Sequence, residues 1–253
     1  MTSLYIAITV ALLTFAAGVT GLYLQRLLPE HHTSDRSRDM IASVNALVTL
    51  LLALVLGTLV SASYGRFANE KAELGTLAAH AIELDMALAQ FGPDGEPARA
   101  GLKTALTHGY EAFWSDAGNG ARATEVGAAV PGLRAMSDLL NTLDAKTPAQ
   151  KQSLSGAESQ LNAIADTRLR MSMQLATTDA WPMLIIIASW ALLLFCGYGL
   201  LSRMNAMTLA ALAFGAFAVA SAIFLILELR QPYAGLIRVP SAPLTQAIGV
   251  IGK

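Results

Sequence analysis

The stretch WPMLIIIASWALLLFCGYGLLSRMNAMTLAALAFGAFAVASAIFLIL, residues Trp181 to Leu227, contains a single charged residue, Arg203. The apolar run on each side of that arginine is long enough for a transmembrane helix, which needs about 20 such residues. Two more runs without charged side chains extend from Met1 to Gln25 and from Met40 to Gly65. Because hydrocarbon offers no water to unpaired backbone groups, each run must be helical. The sequence therefore predicts four transmembrane helices, arranged as two hairpins.

The charged residues are concentrated between the second and third predicted spans. Only 14% of the 253 residues are charged, and mean hydropathy is +0.50, whereas soluble domains average about 25% charged residues. Fourteen of the 18 acidic and ten of the 17 basic residues lie between Arg66 and Ala180. This segment is therefore predicted to be an extramembrane domain. The net charge of −1 and the lack of a basic cluster argue against a nucleic-acid partner.

Apolar periodicity predicts that this domain is a helical bundle. Small and large apolar residues recur every three or four positions from Leu74 to Phe91, which is typical of a packed helix face. GPDGEP (92–97) ends that helix, and a second helix is predicted from Pro97 to about Asp116, before GNG (118–120). A shorter helix is predicted from Pro131 to near Asp144. No segment shows strand alternation, so the predicted fold is an all-α integral membrane protein.

TPAQ (147–150) has the pattern of a capping box, with Thr147 as N-cap and Gln150 at the third helical position. It predicts a long helix that leads almost directly into Trp181. The first hairpin is predicted at 1–65, with spans at about 3–25 and 41–64, and the bundle follows at 66–180. The second hairpin is predicted at 181–229, with spans at about 182–202 and 205–228. The C-terminal segment, 230–253, is predicted to dock on the bundle or on a neighbouring subunit. The fourth span contains many alanines, which predict that it packs inside the protein.

One face of the second span is polar at both ends and apolar in the middle. Its residues are Asn45, Thr49, Leu52, Leu56, Leu59 and Ser63. A pore-lining helix with an apolar constriction has this pattern. An ordinary packed helix, whose hydroxyls bond neighbouring backbones, has it as well. The sequence leaves both interpretations open.

Three charged residues stand out by position. Arg168 lies on the apolar face of the long helix, where it either pairs with an acid such as Glu83 or Asp85 or faces solvent or an anion. Glu228 and Arg230 lie where the fourth span ends, and we expect both to remain hydrated there.

No residue pattern predicts a cofactor, a metal site or catalysis. His31 and His32, followed by Asp35 and Asp39, lack a second cluster to complete a metal site. Nucleotide-binding, nucleophile-elbow and zinc-protease motifs are missing from the sequence. We therefore predict that the protein is not an enzyme.

Three segments in this order resemble the bestrophin-like family of bacterial membrane proteins, distant relatives of the bestrophin anion channels. They are LLPEHHTSDRSRDMIASVNALVTLLLALVLGTLV (27–60), FGPDGEPARAGL (91–102), and SAIFLILELRQPYAGLIRV (221–239) followed by PSAPLTQAI (240–248). The resemblance implies a pentamer whose second span lines a pore, with the termini and the bundle in the cytosol. The region from Leu52 to Leu59 is aliphatic where bestrophins carry pore aromatics, and no acidic cluster resembles a calcium clasp.

The charge distribution agrees with this orientation. Six basic residues flank the membrane on the bundle side and four on the other side, which favours a cytoplasmic bundle under the positive-inside rule. We therefore expect a homo-oligomer in the bacterial plasma membrane, with lipid, ions and copies of itself as partners. Its expected function is an ion channel or pore. Anion conduction is what the resemblance implies. The alternative is a non-conducting sensor or scaffold that signals through the bundle.

Overall fold

A computed structural model describes residues 2–27, 35–114, 126–176 and 181–253. Within these ranges the chain is helical and contains no strand. The α-helices are α1 Thr2–Leu27, α2 Asp35–Phe91, α3 Glu96–Trp114, α4 Val126–Asn141, α5 Pro148–Ala176, α6 Trp181–Leu201, α7 Ala206–Leu229 and α8 Ala242–Val250. A 3-10 turn, Pro93–Gly95, joins α2 to α3. Four of these helices, α1, α2, α6 and α7, are long and apolar enough to cross a membrane, so the all-α, four-span prediction is confirmed.

The chain forms two compact units. The membrane unit comprises Met1–Arg66 and Asp179–Arg230, and the bundle unit comprises Phe67–Thr178 and Gln231–Lys253. Helix α2 contributes its first part to the membrane unit and its second part to the bundle unit. The predicted division of the spans into two hairpins is not confirmed, because α1 packs mainly against α6 and next against α7.

Glycines bring α1 and α6 together in the membrane unit. A side chain at Gly21 would collide with the carbonyl oxygen of Cys196, and one at Gly199 with the carbonyl oxygen of Gly18. The two backbones therefore touch directly, an arrangement that small residues permit in membranes. The alanine-rich α7 is less enclosed than we predicted, since Phe214 and Phe217 are exposed.

The bundle unit has one apolar core. The predicted face of α2 from Leu74 to Phe91 is buried, and α3, α4, α5 and α8 contribute to the same core. The capping box also forms as predicted: Gln150 N donates to Thr147 Oγ1 at 3.2 Å, and Thr147 N donates to Gln150 Oε1 at 3.2 Å. These two bonds satisfy donors that the start of α5 would otherwise leave unpaired.

One helix boundary differs from the predictions. The helix expected from Pro131 begins at Val126, so that Pro131 lies in its second turn and removes one backbone donor there. Helix α3 is described up to Trp114, and its predicted end near Asp116 lies outside the described residues. The GNG segment that was expected to end it, and the junction between α5 and Trp181, lie outside the described residues.

Candidate functional site

The face of α2 predicted to line a pore lies within the membrane unit's core. Leu52 and Leu59 are each 6% exposed and belong to an apolar cluster with residues of α1, α6 and α7, and Leu56 packs against that cluster. Asn45 and Ser63 are buried as well. A side chain enclosed by its own subunit does not meet a water column. Their placement therefore favours the packed-helix interpretation for these residues.

Two polar residues of this face, Asn45 and Thr49, contact α6. Thr49 Oγ1 donates to the backbone oxygen of Asn45 at 2.7 Å and lies 2.7 Å from the Tyr198 hydroxyl. Because the threonine proton is already used, Tyr198 donates to Thr49. The Asn45 amide fills the space beside Gly197, where any side chain would overlap it. These contacts hold α2 against α6.

The exposed face of α2 has the same polar and apolar pattern. Leu47, Leu50 and Leu54 are 59%, 70% and 65% exposed, and Ser43 and Ser61 lie exposed at either end of this row. Spacings of three, four and seven residues place all five side chains on one side of the helix. This surface is available to lipid, to a neighbouring subunit or to a pore. We name it the outer leucine face.

Arg168 does not pair with the acids that we expected. Asp85 instead accepts bonds from Arg99, and Glu83 lies 3.6 Å from His80. Among the described residues, no acid pairs with Arg168. The side chain is half-buried, and burial lowers the pKa of its guanidinium. The ion-pair alternative is therefore wrong, and the alternative that faces solvent or an anion remains.

A buried ion pair in the bundle unit joins α2 to α3. Arg99 donates to both carboxylate oxygens of Asp85, Nε at 2.8 Å and Nη2 at 3.1 Å, and both residues are buried. Nη1 donates to Glu96 at 2.7 Å. Hydrogen bonds to Asp85 and then to Glu96 raise the pKa of Arg99 above its ordinary value. The sequence analysis missed this pair, although Arg99 lies within FGPDGEPARAGL, a segment that the resemblance singled out.

Glu228 is not hydrated as we expected. It is 2% exposed in the last turn of α7, so its carboxylate is enclosed by protein. Arg230 is half-buried, and its Nε has no hydrogen-bond partner among the described residues. Burial and then the charge of Arg66 lower the pKa of Arg230. The end of α7 is therefore a packed, polar region.

The C-terminal segment packs within the bundle unit of its own chain. Tyr233 is buried against Phe113 and Trp114, with ring centroids 4.8 and 5.7 Å away. The Trp114 indole donates to the Val239 oxygen at 3.1 Å. Helix α8, which the sequence analysis did not predict, contacts α3. Two further bonds hold the segment: Lys103 Nζ donates to the Ile251 oxygen at 3.1 Å, and Gly252 N donates to Asp85 at 3.4 Å.

This docking should weaken at alkaline pH. The Tyr233 hydroxyl donates to Glu70 Oε2 at 3.1 Å, and burial, followed by the charge of Glu70, raises the pKa of Tyr233. A raised pKa means that the stabilisation is complete below about pH 10, the ordinary pKa of tyrosine, and declines as the pH rises above it. We expect the protection factors of residues 233–251, which are exchange rates corrected for the intrinsic base catalysis, to fall above pH 10. Tyr233→Phe should remove most of that alkaline dependence, and an unchanged profile in this variant would contradict the assignment.

His31 and His32 lie outside the described residues. Within the described ranges, no group of three His, Cys, Asp or Glu side chains has the geometry to hold a metal ion.

Comparison with known proteins identifies the family. Residues 12–244 match the Bestrophin-like domain, which is most of the chain. This chain belongs to the Bestrophin-like family. The membership confirms the resemblance inferred from the three sequence segments, and it agrees with the prediction that the protein is not an enzyme.

Solved structures of a bacterial bestrophin homolog from Klebsiella pneumoniae share the bestrophin-like fold. One variant of that homolog superposes with a TM-score of 0.70 at 16% identity, covering 96% of this chain and 97% of that chain. A second variant gives a TM-score of 0.68 at 17% identity, with 96% of each chain covered. The structure solved by Zn-SAD phasing gives 0.65 at 17% identity, with 95% of each chain covered. At these identities the likeness establishes the fold. Comparison with curated proteins finds no match.

Proposed function

We propose that the protein is a homo-oligomeric ion channel whose pore is lined by the outer leucine face of α2. The observation that carries this proposal is the exposure of Leu47, Leu50 and Leu54 between exposed serines. A symmetric ring of such helices would present hydroxyls at two levels and an apolar constriction between them, which gates by excluding water. The six residues chosen from the sequence are instead assigned to holding α2 in place.

Assembly follows from the same exposed surface. Leucines at a subunit interface or a water-filled pore need a second copy of the chain, and closed rings are the usual result of head-to-tail contacts. We propose a pentamer by analogy with bestrophins, in the bacterial plasma membrane, with the termini and the bundle unit in the cytoplasm. Anion conduction is proposed on the same analogy, and the six-to-four excess of basic residues on the bundle side supports the orientation.

The pore assignment is tested by shrinking the constriction. Replacing Leu50 and Leu54 together with alanine should increase ion flux in liposomes several-fold, because a wider ring holds water more readily. The matched control replaces Leu52 and Leu59, two leucines of the same helix that face the core. The control should lower the melting temperature, since each buried truncation costs about 2–5 kcal/mol, without increasing the flux per folded oligomer.

Two results would contradict the proposal. Higher flux in the core variant than in the outer-face variant would return the pore to the face chosen from the sequence. Zero flux above empty liposomes for the wild type and for the outer-face variant, with intact oligomers, would favour the non-conducting sensor or scaffold. Flux is therefore measured with the melting temperature on the same preparation.

A further inference from the structure

The bundle unit contains an apolar cavity that is partly open to its surroundings. Its volume is about 80 Å³, and its walls come from α2, α3, α4, α5 and α8. Apart from Arg168 and Ser172, its described walls consist of apolar residues and glycines, including Leu106, Met136 and Met171. An engineered protein cavity of roughly 150 Å³ lined by similar side chains holds benzene. This cavity has room for a narrower apolar group, and methionines adapt readily to the shape of a ligand.

Arg168 supplies the one charge among the described residues of the cavity wall. It pairs with no described acid, and burial disfavours its positive charge. An arginine nevertheless stays protonated in proteins and presents several N–H donors. The neighbouring Ser172 hydroxyl donates its proton to the Leu169 oxygen at 2.8 Å, so it does not compete as a donor. The wall therefore combines an apolar pocket with one unsatisfied cation.

We propose that this cavity binds a short- or medium-chain aliphatic monocarboxylate, with its chain among the leucines and methionines and its carboxylate on Arg168. A carboxylate matches the guanidinium in charge and shape and accepts two parallel hydrogen bonds. A single negative charge fits the single cation of the wall, whereas a phosphate monoester would bring a second charge with no partner. The slender chain enters the cavity, and its remainder extends through the open side.

Two glycines allow the cavity to be filled by substitution, which tests whether a ligand uses that space. A Cβ atom added at Gly109 or at Gly132 meets no other atom within 4 Å. Both residues line the cavity, and a larger side chain there meets open space. Leucine at position 109 should therefore occupy the space of the ligand's chain without a collision. Leucine is also a strong helix former, whereas glycine is about 0.8–1 kcal/mol less favourable in a helix than alanine.

The test is calorimetric titration of the purified full-length protein in nanodiscs with hexanoate, against blank nanodiscs. We expect saturable binding and a rise in melting temperature. Arg168→Gln should weaken hexanoate binding at least tenfold while leaving the protein as stable as the wild type, since it removes an unpaired charge. Arg170→Gln is the matched control, because Arg170 is exposed on the same helix and pairs with Asp166; its binding should equal that of the wild type.

Further experiments test separately the contribution of the ligand's chain, the contribution of its charge, and the source of the ligand. Hexanol should bind more weakly than hexanoate, and Gly109→Leu should abolish hexanoate binding at a melting temperature equal to or above that of the wild type. Dihexanoyl phosphatidylglycerol tests whether a lipid with an anionic headgroup is preferred. Absence of saturable hexanoate binding, equal binding by Arg168→Gln, or tighter binding of the lipid would overturn the proposal. If Gly109→Leu fails to fold, the comparison of the two arginine variants decides alone. None of these measurements depends on ion flux.

Discussion

Replacing Gly21 with alanine is expected to disrupt the membrane unit. The new methyl group would collide with the Cys196 carbonyl oxygen and press on Gly199. These are backbone atoms that cannot rotate away, so α1 and α6 would have to separate along their length. Overpacking of a core costs about 1–3 kcal/mol and occasionally more, and we expect the upper end here. Thermal melting in mild detergent and the yield of folded oligomer measure the effect, and Gly21→Val should be worse.

The control for this prediction is Gly65→Ala. Gly65 is also a glycine of a membrane helix, and a side chain there meets no atom within 4 Å. It should melt at or slightly above the wild-type temperature, because alanine favours helix over glycine. Equal melting temperatures for Gly21→Ala and Gly65→Ala would show that α1 and α6 do not make the close contact.

Replacing Asp85 with alanine should be similarly severe for the bundle unit. The substitution leaves the Arg99 guanidinium buried with only Glu96 as a charged partner, and Glu96 is exposed. Breaking a buried pair by removing one partner costs about 3–5 kcal/mol. The backbone N–H of Gly252 would also lose its acceptor. We expect a large drop in chemical stability of the bundle, with earlier proteolysis of the C-terminal segment.

Two variants test the mechanism of this loss. Glu96→Ala removes the exposed partner and should cost below about 1 kcal/mol, as solvent-exposed pairs usually do. Asp85→Leu combined with Arg99→Met removes both charges, and much of the lost stability should return, since apolar replacements of buried pairs are often neutral. If the double variant is as unstable as Asp85→Ala, the loss arises from packing and not from an unpaired charge.

The general architecture was predictable because its signals are strong and local. Span length follows directly from the thickness of hydrocarbon, and four uncharged runs are visible without any alignment. The buried face of α2 from Leu74 onward could be predicted because, outside the membrane, apolar residues mark the buried side of a helix and polar residues mark the side in water. The capping box depends on residues three positions apart. These inferences need no knowledge of distant contacts.

The candidate pore face was harder to assign. In the membrane, both sides of α2 are apolar, so periodicity does not distinguish a face that packs on α6 from one that faces lipid or a pore. Leu52 and Leu50 are chemically identical, and only the tertiary contacts separate the buried one from the exposed one. The pairing of Asp85 with Arg99 was equally invisible, because many acids are available to each arginine. Glycine 21 and its partners in α6 also lacked a signal that set them apart from the alanines of α7.

The composition of the bundle unit also constrains how the protein is synthesised. Its core includes Val239, Leu244, Ala247 and Ile251, which leave the ribosome after all four spans, although the unit begins at Phe67. About 75 residues separate Thr178 from Lys253. At roughly 5–20 residues per second, their translation takes about 4–15 s. During that interval the nascent bundle presents an incomplete apolar surface beside the translocation machinery, so a holding chaperone at this stage would protect the chain from aggregation.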